Sequence, residues 1–296
     1  PFKQTNSVIV GEHFAFLQGC SSAGYDKSMS KDRLVQTWVN VDSQRTRLCV
    51  APAAPMNDDI SAPPLLLLHG LGCSSAAWRP SLRSLAARAV PFATYAPDFP
   101  GCGRSSAVGG AMGMDALGDW TARLLDALEI ERAHIAGNSM GCQVALALAR
   151  RHPERVVSVA LLGPTTGSAN VPFWRYAVGL LWDAFGESLR YNWVLLGMYL
   201  QMGPVRYFAT VRKMMEDDPL SHALEVHAPV LVMRGGHDRI VTEEMAQNLT
   251  AALPNAQYQP LDSTAHAAEF NTPDLFVSAV LEFLERVEQE KALPHP

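Results

Sequence analysis

The chain has no apolar run near the ~20 residues that a bilayer-crossing helix needs. Its longest obvious runs, Leu65–Leu68 and Val156–Leu162, have the length of strands. No membrane span is predicted. Basic clusters are missing too: the net charge is −5, charged residues make up 18%, and no electrostatic footprint for nucleic acid appears. A small uncharged or apolar ligand suits this balance better than a polyanion. Cysteine is sparse. Cys20, Cys49, Cys73, Cys102 and Cys142 form an odd set without a CxxC pair. This argues against a disulfide framework or a zinc site and for free thiols in a reducing cytoplasm. The first residues show no basic region leading into an apolar stretch and a small-residue cleavage site.

What is present is apolar mass. The 296 residues are 48% hydrophobic, ample for one large core with room for a small second lobe. Residues 1–36 are weakly periodic and read as an N-terminal arm, with a first strand predicted over 37–41 and a second over 47–51. Then short, largely apolar strands (65–68, 92–96, 133–136, 156–162) alternate with helical patterns (75–88, 114–128, 140–151). Strands that are apolar throughout and separated by helices imply a parallel sheet covered on both faces. Short right-handed connections then give a doubly wound α/β fold.

The rhythm stops after Gly163-Pro164. Residues 165–222 show no clear strand and hold ten of the chain's 24 aromatics. This stretch reads as a mainly helical cap. The core is thus expected in two parts, 1–164 and 223–296. In the second part, strands are predicted at 230–233 and 257–260 and helices at 242–252 and 274–290.

Three places carry chemistry. Gly137-Asn-Ser139-Met-Gly141 matches G-x-S-x-G between an apolar strand and an Ala/Leu-rich helix. Serine there sits on a strained turn, and the glycines two positions away remove clashes that any side chain would make. Its hydroxyl is exposed at a helix N-terminus, where the Met140 N–H faces a developing oxyanion. His69-Gly70-Leu71-Gly72 follows the strand at 65–68, and the Leu71 N–H is the candidate second oxyanion donor. His69 itself reads as a brace for that loop.

A serine needs a base to take its proton, and the base needs an acid to orient it. The order Ser, Asp, His selects Asp238, at the end of strand 230–233, and His266, after strand 257–260. His237 and Asp262 fit less well. Asp98-Phe-Pro-Gly-Cys-Gly-Arg-Ser105 lacks a P-loop lysine and reads as a structural turn. Within the cap, Trp174 and Trp182 are candidate pocket residues.

These motifs, in this order over about 35–290, resemble the α/β-hydrolase superfamily. The resemblance implies an eight-stranded, mostly parallel sheet with helices on both faces and a cap inserted after the sixth strand. It also implies a Ser139–His266–Asp238 triad and neither metal nor organic cofactor. The G-N-S-M-G turn, with a following strand ending Leu-Leu-Gly-Pro, is similar to the meta-cleavage-product hydrolases, which cut a C–C bond beside a carbonyl. Ala267 follows His266 where that subgroup commonly carries Trp, so a carboxylic ester of a small, largely apolar or aromatic substrate comes first. C–C hydrolysis, lactone or amide cleavage, and a non-catalytic receptor on the same fold stand as alternatives. The partner expected is a small molecule, with a homodimer left open.

Overall fold

The computed structural model describes residues 34–54, 62–107, 109–165 and 187–292. Eight strands form one sheet in the order β1-β2-β4-β3-β5-β6-β7-β8. They are β1 (Val35–Val41), β2 (Gln44–Ala51), β3 (Leu65–Leu68), β4 (Thr94–Pro97), β5 (Ala133–Asn138), β6 (Val156–Leu162), β7 (Val230–Gly235) and β8 (Ala256–Leu261). β1 and β2 form an antiparallel edge, and β4, β3 and β5–β8 run parallel. β1 starts at Val35, so Val35 and Gln36 belong to the sheet and not to the arm placed at 1–36.

The helices are α1 (Arg79–Ala87), α2 (Met114–Ala127), α3 (Met140–Arg151), α4 (Leu189–Met202), α5 (Pro204–Met215), α6 (Pro219–His222), α7 (Glu243–Ala252), α8 (Ala268–Asn271) and α9 (Pro273–Ala292). α1 begins later than the apolar pattern at 75–88 predicts. Ser75–Trp78 form turns instead, because the Ser75 N–H is taken by Asp98 Oδ1 at 2.7 Å.

Strand side chains divide by the period of two that a pleat demands. Leu65 and Leu67 pack with Trp78, Leu82 and Phe276 on the face of α1 and α9. Leu66 and Leu68 pack with Trp120, Val144 and Leu249 on the face of α2, α3 and α7. With both faces covered, every residue of β3, β5 and β6 is buried. This is why these strands are largely apolar without a polar alternation, and why the polar exceptions His134 and Ser158 pair with each other at 2.8 Å.

β4 lies on one side of β3 and β5 on the other. The chain therefore reverses its direction of winding at β3, and a crevice opens beyond the carboxyl ends of β3 and β5. Leu71 and Ser139 lie just past those two ends. Among the described residues, no helix is long and apolar enough to cross a membrane.

Candidate active site

β5 ends at Asn138 and α3 begins at Met140, leaving Ser139 alone in the turn. Its φ of 53° and ψ of −116° lie where a non-glycine residue is strained by roughly 1–3 kcal/mol. The surroundings impose that conformation. The Ser139 N–H donates to the Leu162 carbonyl at 3.0 Å, and the Ser139 carbonyl accepts from the Cys142 N–H at 2.9 Å. A Cβ on Gly137 would overlap the Gly141 carbonyl, and one on Gly141 would overlap the Leu68 carbonyl. Both glycines are thus required by backbone meeting backbone. Asn138 and Met140 are buried, yet Ser139 is only half-buried, with its side chain at the crevice.

His266 and Asp238 are in direct contact, Nδ1 to Oδ2 at 2.7 Å. Asp238 is buried, and its Oδ1 accepts from the Ile240 and Val241 N–H groups at 2.8 and 2.9 Å. Burial opposes its ionisation. The nearby His266 and the hydrogen bonds from His266, Val241 and Ile240 outweigh that penalty and hold the carboxyl below the usual aspartate range. The pair is seated against Gly163, where a Cβ would stand 2.8 Å from two atoms of the His266 ring. Gly163 follows Leu162, the residue that anchors Ser139, so the end of β6 locates both serine and histidine. Asn138 closes the link from the other side: its Nδ2 donates to the His266 carbonyl at 3.2 Å.

The β3 loop is braced as follows. His69 is fully buried, its Nδ1 is 2.9 Å from the Gly70 carbonyl, and its Nε2 accepts from the Phe99 N–H at 3.0 Å. That pattern fits a neutral ring with the proton on Nδ1, and burial lowers its pKa accordingly. Asp98 is the hub of the neighbouring turn. Its carboxylate accepts from Ser75 and Arg104 N–H groups at 2.7 and 2.9 Å, and its carbonyl accepts from Ser105 Oγ at 2.7 Å. This turn is structural. Among the described residues, neither the Leu71 nor the Met140 N–H donates to another backbone group. Met140 heads α3, where N–H groups lack intrahelical acceptors.

Some site residues escaped the sequence reading. Glu269 is buried and its Oε2 accepts from Asn138 Nδ2 at 3.3 Å. Glu187 is buried as well. It accepts from the Ala267 N–H at 2.8 Å and from Asn271 Nδ2, which ties the start of α4 to the segment after His266. A lone Glu gives no local signal of such burial. Tyr191, Met198 and Tyr199 form the nearby face of α4. Tyr191 packs with Ala267 and Phe270, and Met198 with Cys73 and Ala77. A Cβ on Gly72 would lie 2.5 Å from the Tyr199 ring, so α4 rests on the β3 loop. Burial keeps Tyr191 protonated, with Cys73 and Glu269 adding to the shift. Burial also pushes up the thiols of Cys73, Cys102 (to about 12) and Cys142. These cysteines are packing groups. His237 and Asp262 are exposed, unlike the buried Asp238 and His266. Trp174 and Trp182 lie outside the described residues.

A sheet wound this way, with a strained serine at its reversal point and a buried histidine–aspartate pair seated at the end of the neighbouring β6, defines a class. A family model for the alpha/beta hydrolase fold matches residues 63–192. The chain is 30% identical over 251 residues to a 2-hydroxy-6-oxononadienedioate/2-hydroxy-6-oxononatrienedioate hydrolase of Paraburkholderia phymatum, covering 74% of this chain and 86% of that one. The chain belongs to the α/β-hydrolase superfamily and is a hydrolase. It is also 26% identical to a carboxylesterase of Bacillus subtilis, over 88% of this chain and 92% of that one. The enol-lactonase of Burkholderia xenovorans superposes with a TM-score of 0.68 at 25% identity, covering 84% of this chain and 100% of that one.

Proposed function

We propose that this hydrolase cleaves a carboxylic ester of a small, largely apolar or aromatic substrate, with Ser139 as nucleophile, His266 as base and Asp238 as the acid that orients it. One observation carries the reading: Ser139 is held at φ 53° just past β5 by the Leu162 carbonyl, and His266, paired with buried Asp238 at 2.7 Å, is seated against the next residue, Gly163.

In this mechanism His266 takes the Ser139 proton as Oγ attacks the ester carbonyl. The Leu71 and Met140 N–H groups receive the negative charge that builds on the carbonyl oxygen. His266 then gives its proton to the departing alcohol, leaving an acyl-serine. Water, deprotonated by the same histidine, attacks the acyl group. The acid leaves and Ser139 regains its proton. Asp238 holds His266 in the tautomer with Nδ1–H and offsets the charge on its imidazolium form.

The relatives named as dienedioate hydrolases favour a second reading, hydrolysis of a C–C bond beside a carbonyl. A dioate is a dianion. The described surroundings of the site are apolar at Cys73, Leu195 and Met198, and they include the buried carboxyls Glu187 and Glu269. These features suit an uncharged ester better.

The test is a panel of aryl esters, alkyl esters, lactones and vinylogous diketone acids, run on wild type and Ser139→Ala. The ester reading requires the highest kcat/KM on an ester and its loss in Ser139→Ala. A diketone acid turned over faster than every ester establishes the C–C reading. Undiminished ester turnover by Ser139→Ala refutes the mechanism.

A further inference from the structure

The peptide unit that joins His266 to Ala267 is held at both of its polar ends. Its carbonyl, on His266, accepts from Asn138 Nδ2 at 3.2 Å. Its N–H, on Ala267, donates to Glu187 Oε1 at 2.8 Å. Both partners are buried and come from distant parts of the chain. Asn138 ends β5 beside Ser139, and Glu187 lies two residues ahead of α4. Each partner is fixed in its turn. Asn138 Nδ2 also reaches Glu269 Oε2 at 3.3 Å. With a carbonyl and a carboxylate as neighbours, the amide must turn its NH2 group toward them. Glu187 Oε2 accepts from Asn271 Nδ2, and Asn271 Oδ1 accepts from Ser188 Oγ. Ser188 Oγ accepts from the Tyr191 N–H and so caps α4.

This grip bears on the histidine. Asp238 holds the His266 ring by a hydrogen bond at Nδ1. One hydrogen bond fixes a distance far better than it fixes a direction. A peptide unit is planar, so bonds at its C=O and its N–H fix the whole plane. That plane sets ψ of His266 and the direction in which its side chain leaves the main chain. We propose that Glu187 is a positioning residue for the reaction: through the His266–Ala267 peptide it keeps the base aimed at Ser139, and it couples the seating of α4 to the chemistry. This role rests on His266 being the base, as proposed above. The Ala267 N–H needs an acceptor within reach, and a buried N–H deprived of one drives its segment to move until it finds another.

The experiment measures kcat and KM on the best substrate of the panel for wild type, Glu187→Ala, Glu187→Asp, Glu187→Gln, Ser188→Ala and His266→Gln. Circular dichroism checks that each is folded. Glu187→Ala removes the acceptor, and kcat is expected to fall about 10- to 100-fold with KM within about threefold. Glu187→Asp keeps the charge but falls one methylene short, and about a tenfold loss in kcat is expected. Glu187→Gln keeps an Oε1 acceptor, and Asn271 can turn its amide over because a serine hydroxyl accepts as well as donates. Its kcat should stay within about threefold of wild type. Ser188→Ala loosens the same end of α4 without touching the Ala267 N–H. It should melt a few degrees lower with kcat within about twofold.

A second signal does not depend on which bond the enzyme cleaves. The proton NMR resonance of His266 Nδ1–H, identified by its loss in His266→Gln, should shift or broaden in Glu187→Ala and Glu187→Asp and stay in place in Glu187→Gln and Ser188→Ala. Undiminished turnover by His266→Gln overturns the assignment of the base and the role of Glu187 with it. With His266→Gln inactive, three results overturn the role of Glu187 alone. The first is wild-type kcat and an unmoved resonance in Glu187→Ala. The second is a loss in Glu187→Gln as large as in Glu187→Ala, which makes charge the operative feature. The third is an equal loss of kcat in Ser188→Ala, which makes Glu187 an anchor for α4 and nothing more.

Discussion

β3, β5 and β6 bury every residue they contain, whereas α4 buries Tyr191, Met198 and Met202 out of fourteen. The two regions meet across the same crevice and are held by different means. Below Ser139, backbone touches backbone: Gly141 against Leu68, Gly137 against Gly141. Above it, side-chain tips touch side chains or loops, such as Ser74 Oγ on Met198 Sδ at 3.2 Å. Close-packed backbone has no room to yield, while side chains change rotamer at modest cost. The sheet edge is built to hold one geometry. The α4 wall is where side chains can change with least damage to the fold.

The sharpest test of this contrast is chemical. Ser139→Ala is expected to lower kcat/KM by about 10⁴-fold or more while leaving the unfolding curve intact. Asp238→Asn should cost about 10³- to 10⁴-fold, because the histidine loses the partner that fixes its tautomer. The same variant reports on stability. The Asp238 carboxyl is held below the usual range, so its contribution is fully present above the unfolded aspartate value of about 3.9 and is lost as pH falls through the folded value. Wild-type Tm should drop steeply below about pH 4, and Asp238→Asn should flatten that limb. An unchanged limb would show that the pair does not carry the acid sensitivity.

The glycines extend the comparison to packing. Gly141→Ala puts a methyl group into the Leu68 carbonyl and is expected to cost about 3 kcal/mol in urea denaturation. Met198→Ala, in the α4 wall, should raise KM a few-fold with kcat within about twofold, as expected for lost uniform binding. A large fall in kcat instead would mean that this wall positions the chemistry. Gly197→Ala, with open space around its Cβ position, should stabilise the chain by roughly 0.5–1 kcal/mol through helix propensity. If Gly197→Ala proved as costly as Gly141→Ala, the division between the two regions would fail.

Legibility followed the same line. Ser139, its two glycines and the strand–helix context are neighbours in the chain, and local sterics alone demand that spacing. His266 and Asp238 are 28 residues apart. They were readable because Asp238 follows the apolar β7 and His266 follows β8, and parallel strands deliver their carboxyl ends to one edge. Glu187 and Glu269 were not readable. Their burial depends on the Ala267 N–H and on Asn138, partners that only the folded chain supplies. The described part of 165–222 holds α4, α5 and α6. Which aromatics face inward was hidden, because α4 is apolar on both sides and a periodic pattern needs a polar side to show its phase.

By itself, the sequence determined the sheet, its order of strand and helix, and the strained turn at Ser139, since these rest on apolar runs and on contacts a few residues long. Only the tertiary structure decided that Gly163 seats the His266 ring, that Glu187 ties α4 to the segment after His266, and that Leu189, Trp193, Leu196 and Leu200 face outward. Each of those depends on side chains from distant segments sharing one space, and spacing along the chain does not encode it.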